Sequence, residues 1–228
     1  MATSGTTAFA PDFTEIAEEA WERVGREMRS GYDLRTARRS MNLLTIEWQN
    51  RGINLWTIDS GTVPLLTDTA TYNLPTDTID LLDQVIRTGA GSVSSQSDLT
   101  ISRMSPSEYA SIPNKLNTGR PIKVWIDRQV VQPVITLWPI PSSNDYTFVY
   151  WRMRRIEDAG HGVETPDINF RFLPALIAGL AYHIAIKVPE AISRVDMLRQ
   201  MYEESFTLAA AEDRIKTPAR FVPRMAHI

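Results

Sequence analysis

The chain has 228 residues, 43% hydrophobic and 22% charged, with a formal net charge of -3 and no cysteine. This composition fits one large or two small packed domains and excludes a disordered chain. The lack of thiols excludes disulfides and thiolate metal sites, and the small negative charge gives no overall case for nucleic-acid binding, which shows as a basic excess.

Charge is unevenly spread. Residues 12–27 hold six acids against Arg23 and Arg26, and residues 214–228 hold four basic side chains and no acid. An acidic first helix and a basic last segment can meet within one subunit or between neighbours. The N-terminus shows no basic region followed by an apolar run, so no signal peptide is expected. The most apolar segment, Phe172 to Ile186, is shorter than the ~20 residues of a membrane span and reads as a buried helix.

In chain order, Met1 to Ala10 is small and polar and reads as a mobile arm. Asp12 and Glu15 have the spacing of a capping box. Phe13, Ile16, Ala17, Ala20, Trp21, Val24 and Met28 then form a helical stripe ending near Gly31. Asp33 is the expected cap of a second helix, whose apolar stripe is Leu34, Ala37, Met41, Leu44 and Trp48. Arg35, Arg38 and Arg39 lie off that stripe and are candidates for a subunit contact. Gly52 supplies a left-handed stop. Trp48, Gly52 and Trp56 are the expected structural hinge between this helix and the β-structure beyond it.

From about Ser60 to Glu157 the period changes to that of strands. Thr62–Leu66, Thr71–Leu74, Ile79–Arg87, Leu99–Ile101, Ile122–Ile126, Val134–Trp138 and Tyr146–Arg155 are strand candidates. Gly89 to Ser97 reads as an exposed loop, and Ser105, Pro106 and Glu108 as the start of a short helix. In the last candidate strand Tyr146, Phe148, Tyr150 and Arg152 share one face. Helical structure then returns. Asp167 caps a run from Ile168 to Lys187, with Pro174 as a candidate kink. Glu190 to about Lys216 carries a stripe at Ile192, Val195, Leu198, Tyr202, Phe206 and Ala209. The expected fold is α+β: a four-helix bundle with a β-rich domain inserted between helices 2 and 3, plus an extended C-terminal arm. Its parts are residues 12–58 with 165–216, 59–164, and 217–228.

The chemistry-bearing candidates are few. Glu157, Asp158, His161, Glu164 and Asp167 could gather around a hard cation or supply an acid–base pair, but their spacing matches no ligand motif of fixed geometry. A solvated acidic loop is the simpler reading. His183 sits within an apolar helix and reads as a hydrogen-bonded core or interface residue. GAGSVSS lacks the Lys-Ser/Thr of a phosphate loop. Trp151, Arg152, Arg154 and Arg155 could stack bases and hold phosphates; a strand with a buried aromatic face is the competing reading, and the favoured one. The tail segment ARFVPRM carries Arg220, Phe221, Val222, Arg224 and Met225 without any period. It is either a frayed terminus or an arm that docks in a partner's groove, where burial of Phe221 would contribute roughly 1.5–3 kcal/mol. The mix of arginine and apolar residues favours the arm.

The run MNLLTIEWQNRGINLW (Met41–Trp56) resembles the second helix and its exit in head-to-tail adaptor proteins of short-tailed bacteriophages, variously called tail tubular protein A, gatekeeper or packaged-DNA stabilisation protein. The shared pattern is carried by Leu43, Leu44, Trp48, Gly52, Ile53, Leu55 and Trp56. YWRMRRIEDAG (Tyr150–Gly160) followed by FLPALIAGLAYHIAIK (Phe172–Lys187) looks like the second half of such proteins, so the resemblance spans roughly residues 12–216. It implies a non-enzymatic virion protein with no cofactor and no membrane partner. It further implies a homo-oligomeric ring, typically a dodecamer, between the portal protein and the tail nozzle protein, with genomic DNA passing through the channel without sequence-specific binding. The alternatives are a neck or stopper ring, a tail-completion protein, or a peptidoglycan hydrolase using Glu157 or Glu164.

Overall fold

The computed structural model describes residues 3, 5–7, 9–53 and 55–212. It is a mixed α+β chain: two helices, a β-rich middle of three sheets, and two further long helices. The chain divides into two compact units, Met1–Leu55 with Glu157–Ile228, and Trp56–Ile156.

The first helix, α1 (Phe13–Val24), begins on the expected capping box. Asp12 Oδ1 accepts the Glu15 N–H at 2.8 Å, and Glu15 Oε2 accepts the Asp12 N–H at 3.1 Å. It stops well short of Gly31 because Gly25 adopts a left-handed φ of 90° and turns the chain. Met28 therefore falls outside a stripe whose other members are all buried. In α2 (Gly31–Asn50) the cap is Ser30 and not Asp33. Ser30 Oγ accepts the Asp33 N–H at 3.3 Å, and the Asp33 carboxylate accepts the Ser30 N–H in return at 3.2 Å. Asp33 is thus the reciprocal member of a capping box. At the other end Gly52 has the expected left-handed φ, 89°. The N–H of Ile53 closes on Trp48 O at 3.1 Å and that of Gly52 on Gln49 O at 3.0 Å, the paired bonds of a Schellman stop.

The middle unit contains β1 (Ile58–Pro64), β2 (Thr71–Asn73), β3 (Thr78–Thr88), β4 (Ser97–Thr100), β5 (Ser102–Arg103), α3 (Pro106–Ser111), β6 (Thr118–Gly119), β7 (Lys123–Asp127), β8 (Val134–Trp138), β9 (Ile140–Pro141) and β10 (Tyr146–Arg154). One antiparallel sheet has the order β1-β10-β3-β4. A second has the order β2-β8-β7-β5, with β5 parallel to β7, and β6 pairs with β9 in a third. Leu81, Ile86, Phe148 and Tyr150 of the first sheet share a core with Val124, Ile135 and Leu137 of the second. The expected face of β10 is present: Phe148 and Tyr150 point into this core and Tyr146 packs against it. β3 does not alternate cleanly because its register against β10 slips. Leu81 pairs with Arg152 and Asp83 with Trp151, leaving Leu82 between them unpaired and exposed. β1 starts at Ile58, earlier than Thr62, because Asp59, Ser60 and Gly61 carry little strand signal. Gly61 lies under the Tyr150 ring, where a Cβ would clash. In α3 Ser105 Oγ accepts the Glu108 N–H at 3.1 Å. The Glu108 carboxylate pairs with Lys123, so the expected reciprocal bond is not made.

After this unit the chain makes a 3-10 turn, Phe170–Phe172, whose cap is Asn169. Asp167 is not a helix cap; it accepts the Glu157 N–H at 3.2 Å. The helix α4 (Leu173–Ala185) comes next, and Pro174 falls in its first turn, where a missing N–H leaves no bond unmade and no kink arises. Pro189 opens a second 3-10 turn, Pro189–Arg194, which leads into α5 (Val195–Glu212). Ile192 belongs to that turn and is exposed, with Ala191 buried instead, whereas Leu198, Tyr202, Phe206 and Ala209 form the buried stripe. α4 is apolar almost all round, as a central helix must be, and α1, α2 and α5 each pack on it while α1 and α2 touch little. The contacts establish three helices around a hub; they do not establish a regular four-helix bundle. Gly179 of α4 allows the close approach, since a Cβ there would lie 2.8 Å from the Tyr202 ring and 2.9 Å from Leu44 Cδ2. The C-terminal arm, residues 217–228, lies outside the described residues.

Candidate functional site

The buried side of α2 is Ala37, Met41, Leu44 and Trp48 together with Thr36, Ser40 and Thr45. Two of the buried hydroxyls are satisfied inside the helix: Ser40 donates to Thr36 O at 2.8 Å and Thr45 to Asn42 O at 3.0 Å. The outward side carries Tyr32 (64% exposed), Arg35, Arg39, Leu43 (58%) and Ile46 (54%). Those positions step by three, four, four and three, so they form one stripe about 21 Å long at 1.5 Å per residue. A single exposed leucine is ordinary. Here Leu43 and Ile46 align with the cations on one rigid face, which makes that face the candidate surface.

Tyr32, Arg35, Arg38 and Arg39 line a shallow depression of about 290 Å³. Every hydrogen-bond acceptor of these three arginines among the described residues is neutral. Arg35 donates to Gly31 O at 3.2 Å, Arg38 to Gly160 O at 3.3 Å and Arg39 to Thr36 Oγ1 at 3.5 Å. By contrast, Arg51 is held by Glu47 and Glu203, and Arg152 by Asp59 and Asp77. The three do not play one part. Arg38, half-buried, works with Asn42 one turn on, whose Oδ1 accepts the Ala159 N–H at 2.9 Å, to fasten the 157–164 loop. Arg35 and Arg39 are the ones left outward.

Arg26 and Lys187 extend the basic surface. They line a neighbouring cavity of about 460 Å³ with Tyr32, Arg39 and two carboxylates, Asp33 and Glu190. Lys187 donates to Ser40 Oγ at 2.7 Å. Burial, and after it the Arg39 guanidinium, hold the Lys187 ammonium below the usual lysine value. Burial pushes the Asp33 carboxyl up, but N–H groups of Arg29 and Ser30 and the Ser30 hydroxyl outweigh it, so Asp33 sits below the usual carboxylate range. These basic neighbours of the arginines were missed in the sequence because Lys187 and Arg26 reach the patch from other elements.

The other sequence candidates have structural partners. Glu164 accepts N–H bonds from His161 at 2.8 Å and Gly162 at 2.9 Å, which lower its pKa and shape its own loop. That loop is tied to the start of α1, where Phe13 N–H donates to Glu164 O at 3.1 Å. Among the described residues no group of three or more His, Asp and Glu could hold a metal ion. His183 Nε2 lies 3.3 Å from Glu47. Arg152 and Arg154 pair with Asp59 and Asp77, which leaves them committed within the sheet. The GAGSVSS segment is the β3–β4 hairpin loop. Trp48 and Gly52 belong to the helical unit, and Trp56 opens the other within a 3-10 turn, Leu55–Thr57. The arm residues Arg220, Phe221, Val222, Arg224 and Met225 lie outside the described residues.

Residues 11–223 match the model of the SU10 adaptor protein family. The chain belongs to that family: it is a phage head-to-tail adaptor, a structural protein of the virion and not an enzyme. No curated protein matches it, and no helix among the described residues is long and apolar enough to cross a membrane.

Proposed function

We propose that this adaptor assembles as a homo-oligomeric ring, a dodecamer, at the head-to-tail interface of the virion after synthesis in the host cytoplasm. The ring binds the portal protein, continues the channel for genomic DNA without reading its sequence, and offers a platform to the tail nozzle protein. The helical bundle, residues 12–58 with 165–216, and the arm at 217–228 engage the portal and neighbouring subunits. The β-rich insert, residues 59–164, engages the nozzle. Trp48, Gly52 and Trp56 are the hinge between the two parts.

The observation that carries this reading is the family match, which runs through both units and into the arm. The outward arginines support it, since charge-assisted contacts across an interface favour docking and specificity. The test is to mix the purified chain with its cognate portal and weigh the products by native mass spectrometry. A stoichiometric ring on the portal is expected, and free portal beside free chain would refute the reading.

A further inference from the structure

Among the described residues, two surfaces of the helical unit carry charges without an ion-pair partner, and they complement one another. The first is the outward stripe of α2, with Arg35 and Arg39 toward its start and Leu43 and Ile46 toward its end. The second is a groove of about 470 Å³ beside α1. It is floored by Ile177 of α4 and the exposed Phe9 and rimmed by Glu15, Glu18 and Glu22. The side-chain ion pair of α1 among the described residues is Glu19 with Arg23, which leaves Glu18 and Glu22 without a cation. The stripe and the groove share no residue.

We propose that the α2 stripe of one copy of this chain docks in the α1 groove of a second copy, with the two helices antiparallel. This rests on the adaptor-ring reading and names the contact that builds the ring. The sequence spacing matches in that direction. With Arg39 opposite Glu18, a four-residue step on each helix brings Arg35 opposite Glu22. A seven-residue step the other way brings Ile46 opposite Pro11, next to Phe9. A parallel arrangement that keeps both ion pairs sets Arg35 against Glu18 and Arg39 against Glu22, and it then places Leu43 and Ile46 against Arg26 and Arg29, past the end of α1. Guanidinium–carboxylate pairs supply direction and register, and the apolar half supplies burial. Because the stripe and the groove are different surfaces, the contact is heterologous; repeated copies propagate it around an axis and close into a ring when the rotation permits.

The absence of native cysteine makes the test direct. Arg39→Cys and Glu18→Cys are placed in one full-length chain, which is oxidised with and without portal and run on a non-reducing gel. A ladder of trimers and larger species is expected, since each single variant can link two chains at most. Arg39→Cys combined with Glu204→Cys, on the exposed side of α5, should give no ladder. Dimers alone from the first pair, or equal ladders from both, overturn the contact. So does protection of the residue-39 thiol from maleimide by portal without a ladder, which would assign the stripe to the portal; binding of the wild-type chain to portal would then still uphold the adaptor reading. A charge swap guards against misfolding. Arg35→Glu with Arg39→Glu, or Glu18→Arg with Glu22→Arg, should each abolish self-association, and all four together should restore it. Failure of the fourfold variant to assemble counts against the pairing.

Discussion

Trp48 is fully buried, and its indole N–H donates to Tyr202 Oη at 3.0 Å, while the Tyr202 hydroxyl donates to Glu47 Oε1 at 3.0 Å. Arg51 closes the network: it pairs with Glu47 at 2.7 Å and Glu203 at 2.9 Å, and its guanidinium lies over the Phe206 ring at 4.6 Å. Burial drives the Tyr202 hydroxyl pKa far above the usual tyrosine value, so it stays a donor at any physiological pH. Tyr202→Phe leaves the buried indole N–H unpaired and should destabilise by about 1–3 kcal/mol in urea unfolding, with the helical circular dichroism unchanged. An unchanged midpoint would show that Trp48 is anchored by packing alone. His183 faces the same network. Burial, against the pull of Glu47, holds its pKa below 6.5. The unfolded chain then binds the extra proton first, so this contribution is complete above about pH 6.5 and is lost as pH falls through the lower folded value. The urea midpoint should drop between pH 7 and pH 5.5, and drop less in His183→Gln. The tryptophan was legible as an anchor from its place in the apolar stripe. Its partners were not, because Tyr202 lies 154 residues away and nothing local encodes which polar tip it meets.

At the scale of elements, what could be read depended on how local the cause was. The Asp12–Glu15 box and the Gly52 stop are written within a few residues, and both were legible. The start of α2 differs from expectation by one capping role, because Ser30 and Asp33 each offer an oxygen and only backbone geometry decides which one caps. α1 looked longer because Met28 keeps the helical period past Gly25, and a glycine within a helical pattern is a weak stop without a proline behind it. The slip in β3 puts Leu82 outside, which a period of two cannot anticipate. Gly179 is the sharpest packing case. Alanine there gains about 1 kcal/mol of helix propensity, yet its methyl would press on Tyr202 and Leu44. Gly179→Ala should therefore lower stability by about 1–3 kcal/mol, as overpacking does. A gain in melting temperature would mean that α2 and α5 yield at that point. Gly52→Ala is a contrasting case: no atom lies within 4 Å of its Cβ position, so only the left-handed backbone opposes it. The expected loss is about 1–2 kcal/mol in the same assay.

For the whole molecule, the order of helices and strands was legible because each block keeps its own period for long enough. The outward face of α2 was only half legible: the arginines stood off the apolar stripe, but Leu43 read as part of the family pattern and Ile46 carried no signal of its own. Their exposure comes from the hub arrangement around α4, which uses the opposite side of α2 for packing. The arm at 217–228 gives a prediction at this scale. Its removal should leave the thermal unfolding midpoint unchanged and weaken assembly on the portal, read as a loss of bound chain in co-sedimentation; full binding by the truncated chain would remove the arm from the docking role. The most direct measurement is cryo-EM of the chain mixed with its cognate portal. A closed ring of this chain on one end of the portal, coaxial with the channel, is the expected image. Portal particles without added density, alongside monomeric chain, would show that the chain does not join head to tail in this way.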